Sequence, residues 1–415
     1  MTPQALNAQS QPDTTKAEVL NEAIVKGVRA QKNAPYAIAN VDRKALQNFS
    51  GTGKELPFLF STTPGVLSWS ENGLGTGTTY MRIRGAGDSR INVTIDGVPL
   101  NSPEDQCVFW ANMNSYSAIL ESAQIQRGVG SSTNGDGAFG GSVALRTKAP
   151  SYDPFVELNA SYGSYNTYNT GFSMSTGLLG NHFVADAAFH TTGTDGYVHG
   201  TAGKSGSWYA GLSWLGRDFI IRYRNIGNYE HTGQAWSGVT AGTGDLSIMD
   251  GTYGKATGIK TYADMYRVGL GRFNSLYESM DPDTYKTTRY TLNDGSYWPK
   301  TTDNFWQDHN ILSAAWDINE SLKTTLSLHY TYGYGYYDEF KSGSKVSKFG
   351  FDMVKSNGKP VTSDFVRQKG LSQNAAGFVY NISYNNNGWD VIGGLSGQMF
   401  RGNHFGYLTY VSNTD

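Results

Sequence analysis

The sequence predicts a mainly β fold in which a small α+β unit is followed by a long antiparallel β region. Three observations predict it. Charged residues make up only 16% while aromatics reach 13%, the opposite of the charged, aromatic-poor composition of disordered chains. The 415 residues include 51 Gly and 27 Tyr but 12 Pro, a turn-rich composition with strand-favouring side chains. Short alternations of apolar and polar residues recur from Tyr80 onward.

Several classes are excluded at once. No run of about 18 apolar residues is present, so no transmembrane helix is expected. The net charge of −2 offers no basic field for nucleic acid. Cys107 is the single cysteine, which rules out an intrachain disulfide and any CxxC metal or redox motif.

Residues 1–18 are polar and lack apolar periodicity. Ala5-Leu6-Asn7-Ala8 resembles the small-residue end of a secretory signal, without its basic and apolar regions. Both a signal remnant and an ordinary disordered tail fit. Val19 to Gly27 alternates loosely. A compact unit then spans 33–148. Asp42 is placed to cap a helix in which Ala45, Leu46 and Phe49 recur at helical spacing. Pro57 suits the start of a short second helix, which Pro64-Gly65 ends. Leu67 to Gly77 reads as a Gly-rich loop with an exposed Trp69. Strands are expected over Tyr80–Gly85, Ile91–Ile95, Ala123–Arg127 and Ser142–Thr147.

Two phosphate-binding patterns fail on inspection. Gly135-Asp136-Gly137-Ala138-Phe139-Gly140 satisfies GxGxxG, but a strand pattern follows it where a dinucleotide fold needs a helix. Gly53-Lys54 has Asn48 and Glu55 where a P-loop needs Gly and Ser or Thr.

Five blocks run in order through this unit: Pro64-Gly65-Val66, Ile83-Arg84-Gly85, Ile95-Asp96-Gly97-Val98-Pro99, Arg127-Gly128-Val129-Gly130-Ser131, and Gly135 to Val143 with Gly140-Gly141. Together they resemble the plug domain of TonB-dependent outer-membrane receptors. Arg82, Arg84, Gly85, Asp96, Gly97, Arg127, Gly128, Gly140 and Gly141 carry the match. The sequence departs from the family at Gln124, Val129 and Asn134. Gln124 removes a carboxylate partner expected for Arg82 or Arg84, with Glu121 or another acid as the expected replacement.

The resemblance implies a TonB box within 19–32, ahead of the plug. Leu20, Asn21, Glu22, Ala23, Ile24 and Val25 are its candidates, since an extended segment pairs with a partner's sheet edge through main-chain bonds alone. The alternative is the first strand of the plug. The implied partner is TonB, the periplasmic energy-transducing protein, and the implied location is the Gram-negative outer membrane, with its lipid around the protein.

From Ser151 to Asp415 the texture changes. Phe219, Ile221 and Tyr223, then Leu326, Leu328, Tyr330 and Tyr332, then Phe378, Tyr380, Ile382 and Tyr384 alternate with mostly polar residues. This dyad pattern fits a transmembrane β-barrel with a polar lumen. Tight turns are expected near 179–181, 216–218, 319–321 and 386–388, and long loops near 193–206, 228–305 and 336–371. About nine strands are expected where plugged transporters have about 22. The fold class is therefore a small α+β plug followed by an incomplete antiparallel transmembrane barrel, and the chain is expected to be the N-terminal part of a longer receptor.

No nucleophile elbow or paired acid–base group appears, so no enzyme is expected. No cofactor is expected either. The seven histidines are scattered, and no metal site is assigned to them. By resemblance, ligand is met by the plug segments that face outward. These hold Trp69, Glu71 and Asn72, then Ser102, Glu104, Asp105, Gln106, Phe109 and Trp110. Aromatics give area and amides fix orientation, while the acids suit a cationic or hydroxyl-rich ligand. Phe109 and Trp110 equally suit plug-core packing. The loop 228–305 adds Tyr229, His231, Trp236, Tyr253, Tyr262, Tyr266, Tyr277 and Trp298 as a possible lid.

The resemblance implies active import of a small-molecule or metal-complex ligand. The sequence shows no extra regulatory domain before the plug, of the kind glycan importers carry, which favours an iron-siderophore, haem or cobalamin cargo. A glycan or peptide importer of the same fold and a non-transporting structural or adhesive β-protein are the alternatives.

Overall fold

The computed structural model describes residues 29, 37–129, 139–237, 261–281, 283–351, 353–355 and 357–412. Leu20–Val25, the segment 130–138 and Tyr253 lie outside them.

In the N-terminal unit, β1 (Ala37–Val41) leads into α1 (Arg43–Ser50) and α2 (Leu56–Phe60). Then follow β2 (Val66–Ser70), β3 (Thr79–Ile83), β4 (Ile91–Ile95), β5 (Val98–Pro99), β6 (Leu120–Arg127) and β7 (Gly141–Thr147). The helix starts follow from their sequence. Asp42 accepts from the Ala45 N–H at 2.9 Å, satisfying one of the free donors at a helix start. Pro57 sits in the first turn of α2, where its missing N–H is no loss. The main sheet runs β1-β6-β7-β4-β5, with β4 and β7 parallel. At the β4–β5 turn, Asp96 and Gly97 have φ of 47° and 83°, the two left-handed positions of a tight hairpin.

Two elements depart from expectation. Val66–Ser70 is a strand rather than a loop, paired with β3. Its alternation is carried by Ser68 and Ser70 against Trp69, so composition hid it. The strand β1 was not expected at all. Of its five residues only Val41 is buried, and they become a strand by pairing with β6.

The second region contains β8 (Pro154–Tyr162), β9 (Tyr168–Thr176), β10 (Phe183–Thr194), β11 (Gly203–Leu215) and β12 (Phe219–Gly233). A long connection holds α3 (Tyr262–Arg267) and the small hairpin of β13 (Glu278–Met280) and β14 (Thr287–Arg289). The sheet resumes with β15 (Thr302–Asp317), β16 (Leu322–Lys345), β17 (Thr362–Asn386) and β18 (Trp389–Val411). Nine of these strands form one antiparallel meander in chain order, from β8 to β18, in agreement with the expected count.

The sidedness of this sheet decides its solvent. Leu326, Leu328, Tyr330 and Tyr334 on β16 are exposed, while Thr325, Ser327 and His329 between them are buried. The same inversion holds for Leu212 against Ser213, and for Ile221 and Tyr223 against Arg222 and Arg224. A sandwich in water buries the apolar face; here the polar face is inside and the apolar face outside, as in a membrane barrel. From Leu326 to Tyr334 the outward band runs ~26 Å along the strand at ~3.3 Å per residue. Rings cluster at both ends of the sheet: Trp214 stacks on His182 near the short turns, and Trp208 on Trp306 toward the long loops. Such belts mark the two interfaces of a membrane.

Strands run further than the sequence alternation suggests. β12 continues to Gly233, β15 begins at Thr302, and β16 reaches Lys345. The expected loops 228–305 and 336–371 are shorter accordingly. Beyond the apolar band the ladder persists with polar residues such as Glu339 and Lys341, which alternation in hydropathy does not reveal.

The N-terminal unit seats against the inner face of the nine-stranded sheet. One buried cluster joins Phe60, Trp110, Ile125 and Val143 to Ala188, Tyr209, Ile226 and Ile311 of the wall.

Candidate functional site

The loop that leaves β5 is fastened by Asn101. Its Oδ1 accepts from the Val93 N–H at 2.7 Å, and its Nδ2 donates to the Ile91 and Gln106 carbonyls, each at 2.8 Å. The next residues close on themselves, with the Ser102 N–H bonded to the Cys107 carbonyl and the Gln106 N–H to that of Ser102, both at 2.9 Å. This short, braced loop faces the wall at the long-loop half of the sheet.

Between them lies a cavity of about 550 Å³, in the size range of small-molecule sites. The loop lines it with Ser102, Glu104, Asp105, Cys107 and Phe109, and the wall with Glu230, Asp303, Phe305, Gln307, His309, Tyr337, Lys369, Gln373, Phe400 and His404. Glu104 crosses the gap to His404, Oε1 to Nε2 at 2.7 Å. Aromatic faces, amides and carboxylates thus converge on one space.

The residues singled out in the sequence divide into groups. Ser102, Glu104, Asp105 and Phe109 share the cavity. Gln106 lies beside it, its amide donating back to the Pro103 carbonyl at 3.1 Å. Trp110 is 2% exposed and meets Phe60 edge-on with centroids 6.0 Å apart, so it is core. Trp69 stacks on Tyr80 at 5.3 Å, with Arg82 over its ring. Asn72 closes the β2–β3 turn, donating to Thr76 Oγ1 at 2.5 Å and accepting from the Leu74 N–H at 2.8 Å. Glu71 accepts from the Tyr80 hydroxyl at 2.6 Å and from the Ala235 N–H at 2.8 Å. Burial, only partly offset by those two bonds, raises its carboxyl above the ordinary range. Glu71 and Asn72 border a second cavity of about 10 Å³, roughly the space of one water.

The motif residues assemble at two places. Arg84 N–H bonds the Gly65 carbonyl at 2.8 Å, Arg127 Nη1 donates to the Pro64 carbonyl at 2.9 Å, and Gly128 N–H bonds the Gly140 carbonyl at 2.8 Å. Gly85 completes the turn with φ of 83°. A Cβ on Gly140 or Gly141 would overlap Ala86 or the Gln126 carbonyl oxygen, which is why both are glycine. Glu121 pairs with Arg43 at 3.7 Å, and Gln124 donates to Asn40 at 3.1 Å.

At the second place, Asp96 is bonded to Arg224 of β12 and accepts from Thr147 O–H at 2.6 Å and N–H at 3.0 Å. Burial alone would raise the Asp96 carboxyl, but Arg224, then Arg222 and Thr147, outweigh it and hold it below its ordinary value. Elsewhere on the same unit, Glu55 is 1% exposed. Its Oε1 accepts from Asn114 Nδ2 at 3.0 Å and Gly77 N–H at 3.3 Å, while its Oε2 has no partner. Burial, against those two bonds, pushes its carboxyl up to about 8.

Sequence reasoning missed the wall half of the cavity and Asn101. The wall residues were findable in part, because Asp303, Phe305, Gln307 and His309 sit at alternate positions of one strand and so share a face.

Comparison with known proteins places this geometry. A family model described as the TonB-dependent Receptor Plug Domain matches residues 30–142. No curated protein sequence matches the chain. Among solved structures, FpvA of P. aeruginosa bound to heterologous pyoverdines is similar, with a TM-score of 0.60 at 13% identity, over 91% of this chain and 44% of that one. The ferric-catecholate import receptor Fiu of E. coli K12 gives 0.61 at 14%, over 89% and 50%. BauA, the ferric preacinetobactin receptor of Acinetobacter baumannii, gives 0.60 at 12%, over 91% and 49%. At these identities the likeness concerns the fold. The chain spans about half the length of the structures it matches.

Proposed function

We propose, for a chain that carries the plug domain of a TonB-dependent receptor and nine strands amounting to about half of that family's outer-membrane barrel, that it serves energised import of a scarce small ligand. The ligand binds from outside in the cavity between the 99–113 loop and the barrel wall. The plug then passes occupancy to TonB through the segment around Leu20–Val25, and the proton gradient drives entry. The single observation that carries this reading is the cavity of about 550 Å³ held between plug and wall, because a ligand there touches both the moving part and the fixed part. An iron-siderophore type of cargo is the reading favoured by the neighbours, which include a ferric-catecholate import receptor and a ferric preacinetobactin receptor.

The experiment is growth of a host lacking its own siderophore receptors, with the receptor that carries this chain, on iron-depleted medium supplied with ferric siderophores. Rescue that needs the proton gradient supports import of a metal complex. Rescue on glycan or peptide medium instead supports the second cargo class, which the carboxylates and amides of the cavity also suit. No gain on either medium contradicts import.

A further inference from the structure

We propose that the cargo carries a positively charged nitrogen, a primary amine or guanidinium, which docks on Glu230 and Asp303 of the barrel wall. This rests on the import reading above and names a chemical feature of its ligand.

Glu230 is 6% exposed and faces the cavity. Its bond is one from the Thr232 hydroxyl, at 3.1 Å to Oε2. Asp303 lines the same cavity. In the register of β12 and β15, Thr232 pairs with Asp303 and Glu230 with Phe305, so the two carboxylates are diagonal neighbours on the inner face. Among the described residues neither forms an ion pair with Lys or Arg. Elsewhere on this wall the rule is different: buried Glu339 is bonded to Arg367 at 2.6 Å and also to Lys341, and Arg224 answers Asp96.

A buried carboxylate without a counter-charge is costly, and a cation brought beside it recovers that cost. The cavity's own cation does not reach. Lys369 is on β17, three strands from Glu230 of β12 and two from Asp303 of β15, roughly 14 Å and 10 Å across the sheet at ~4.8 Å per strand, and it is paired with neither among the described residues. The lining holds the carboxylates of Glu104, Asp105, Glu230 and Asp303 against Lys369, and Glu104 is already taken by His404. Phe305, directly opposite Glu230 in the register, lines the same cavity.

The test is calorimetric binding to the purified receptor of matched probes: a ferric trihydroxamate with a terminal primary amine, the same complex after N-acetylation, and, without the iron scaffold, cadaverine and its N-acetyl form. The expected result is amine forms bound at least about tenfold tighter than acetylated forms, the worth of one charge-assisted bond. Glu230→Gln and Asp303→Asn, made singly and together, should erase the difference while the receptor still reaches the membrane. Asp303→Asn alone is the milder change and keeps the test open if Glu230→Gln fails to fold. No excess of the amine form on either scaffold, absence of binding included, overturns the proposal, as does an excess that survives the double variant. Energised uptake without amine preference sinks this inference alone; amine preference without energised uptake sinks the import reading alone.

Discussion

Asp96 of the plug and Arg224 of the barrel wall form a buried ion pair across the interface between the two parts, at 3% and 0% exposure. The pair lies at the Asp96-Gly97 turn, and Thr147 of β7 holds the same carboxylate. It therefore ties the plug sheet, through its turn, to one strand of the wall.

Asp96→Asn removes the charge and leaves Arg224 buried without its partner. Such a loss costs about 3–5 kcal/mol, and protease resistance of the plug at neutral pH should fall accordingly. Because the Asp96 carboxyl is held below its ordinary value, its contribution is full above that value and is lost as pH falls through the lower, folded one. Acid unfolding of the wild type should show this step, and the Asn variant should lack it. An unchanged acid profile would separate the pair from stability.

Glu55 should behave in the opposite sense. Its carboxyl is raised from 4.5 to about 8, so between those values the folded protein holds a proton that the unfolded chain releases. Stability therefore declines as pH rises through that window. Glu55→Gln should flatten the decline and raise the melting temperature at pH 9, by roughly 2–4 °C per kcal/mol recovered. A variant that melts lower than wild type at pH 9 would count against this.

Phe109 and Trp110 are adjacent but should separate cleanly. Trp110→Ala empties a core position and should cost about 3–5 kcal/mol, read by thermal unfolding. Phe109 is 56% exposed and lines the cavity, so Phe109→Ala should leave the melting temperature nearly unchanged and weaken cargo binding. Equal thermal effects would mean both are core.

Gly141→Ala should destabilise the plug by about 1–3 kcal/mol, the usual cost of overpacking, because its Cβ would meet the Gln126 carbonyl and Ile83. Gly393→Ala, on β18 with only Ile382 at contact distance, is the control and should be near neutral. Chemical denaturation of both variants checks the contrast.

What the sequence made legible follows from period and chemistry. Alternation gave the nine strands, Asp42 and Pro57 gave the helix starts, and Asn387-Gly388 gave a hairpin turn with φ of 51° and 80°. What it hid depends on contact between distant residues. Asp96 and Arg224 are 128 positions apart, and no periodicity links them. Trp69 and Trp110 look alike in sequence, yet one stacks on Tyr80 of the paired strand at the surface and the other packs on Phe60 in the core, contacts that only the tertiary fold decides. Glu230 and Asp303 meet only through strand register, after an intervening segment of α3, β13 and β14.

The most direct measurement of the import claim is accumulation of radiolabelled cargo in intact cells by the receptor with Ile24→Pro in its N-terminal segment, beside surface binding by the same cells. Proline removes a main-chain donor that edge pairing needs. The expected result is unchanged binding and loss of accumulation, equal to that of wild type once the proton gradient is collapsed. Accumulation at the wild-type rate, with normal receptor levels, would contradict energised import through this segment.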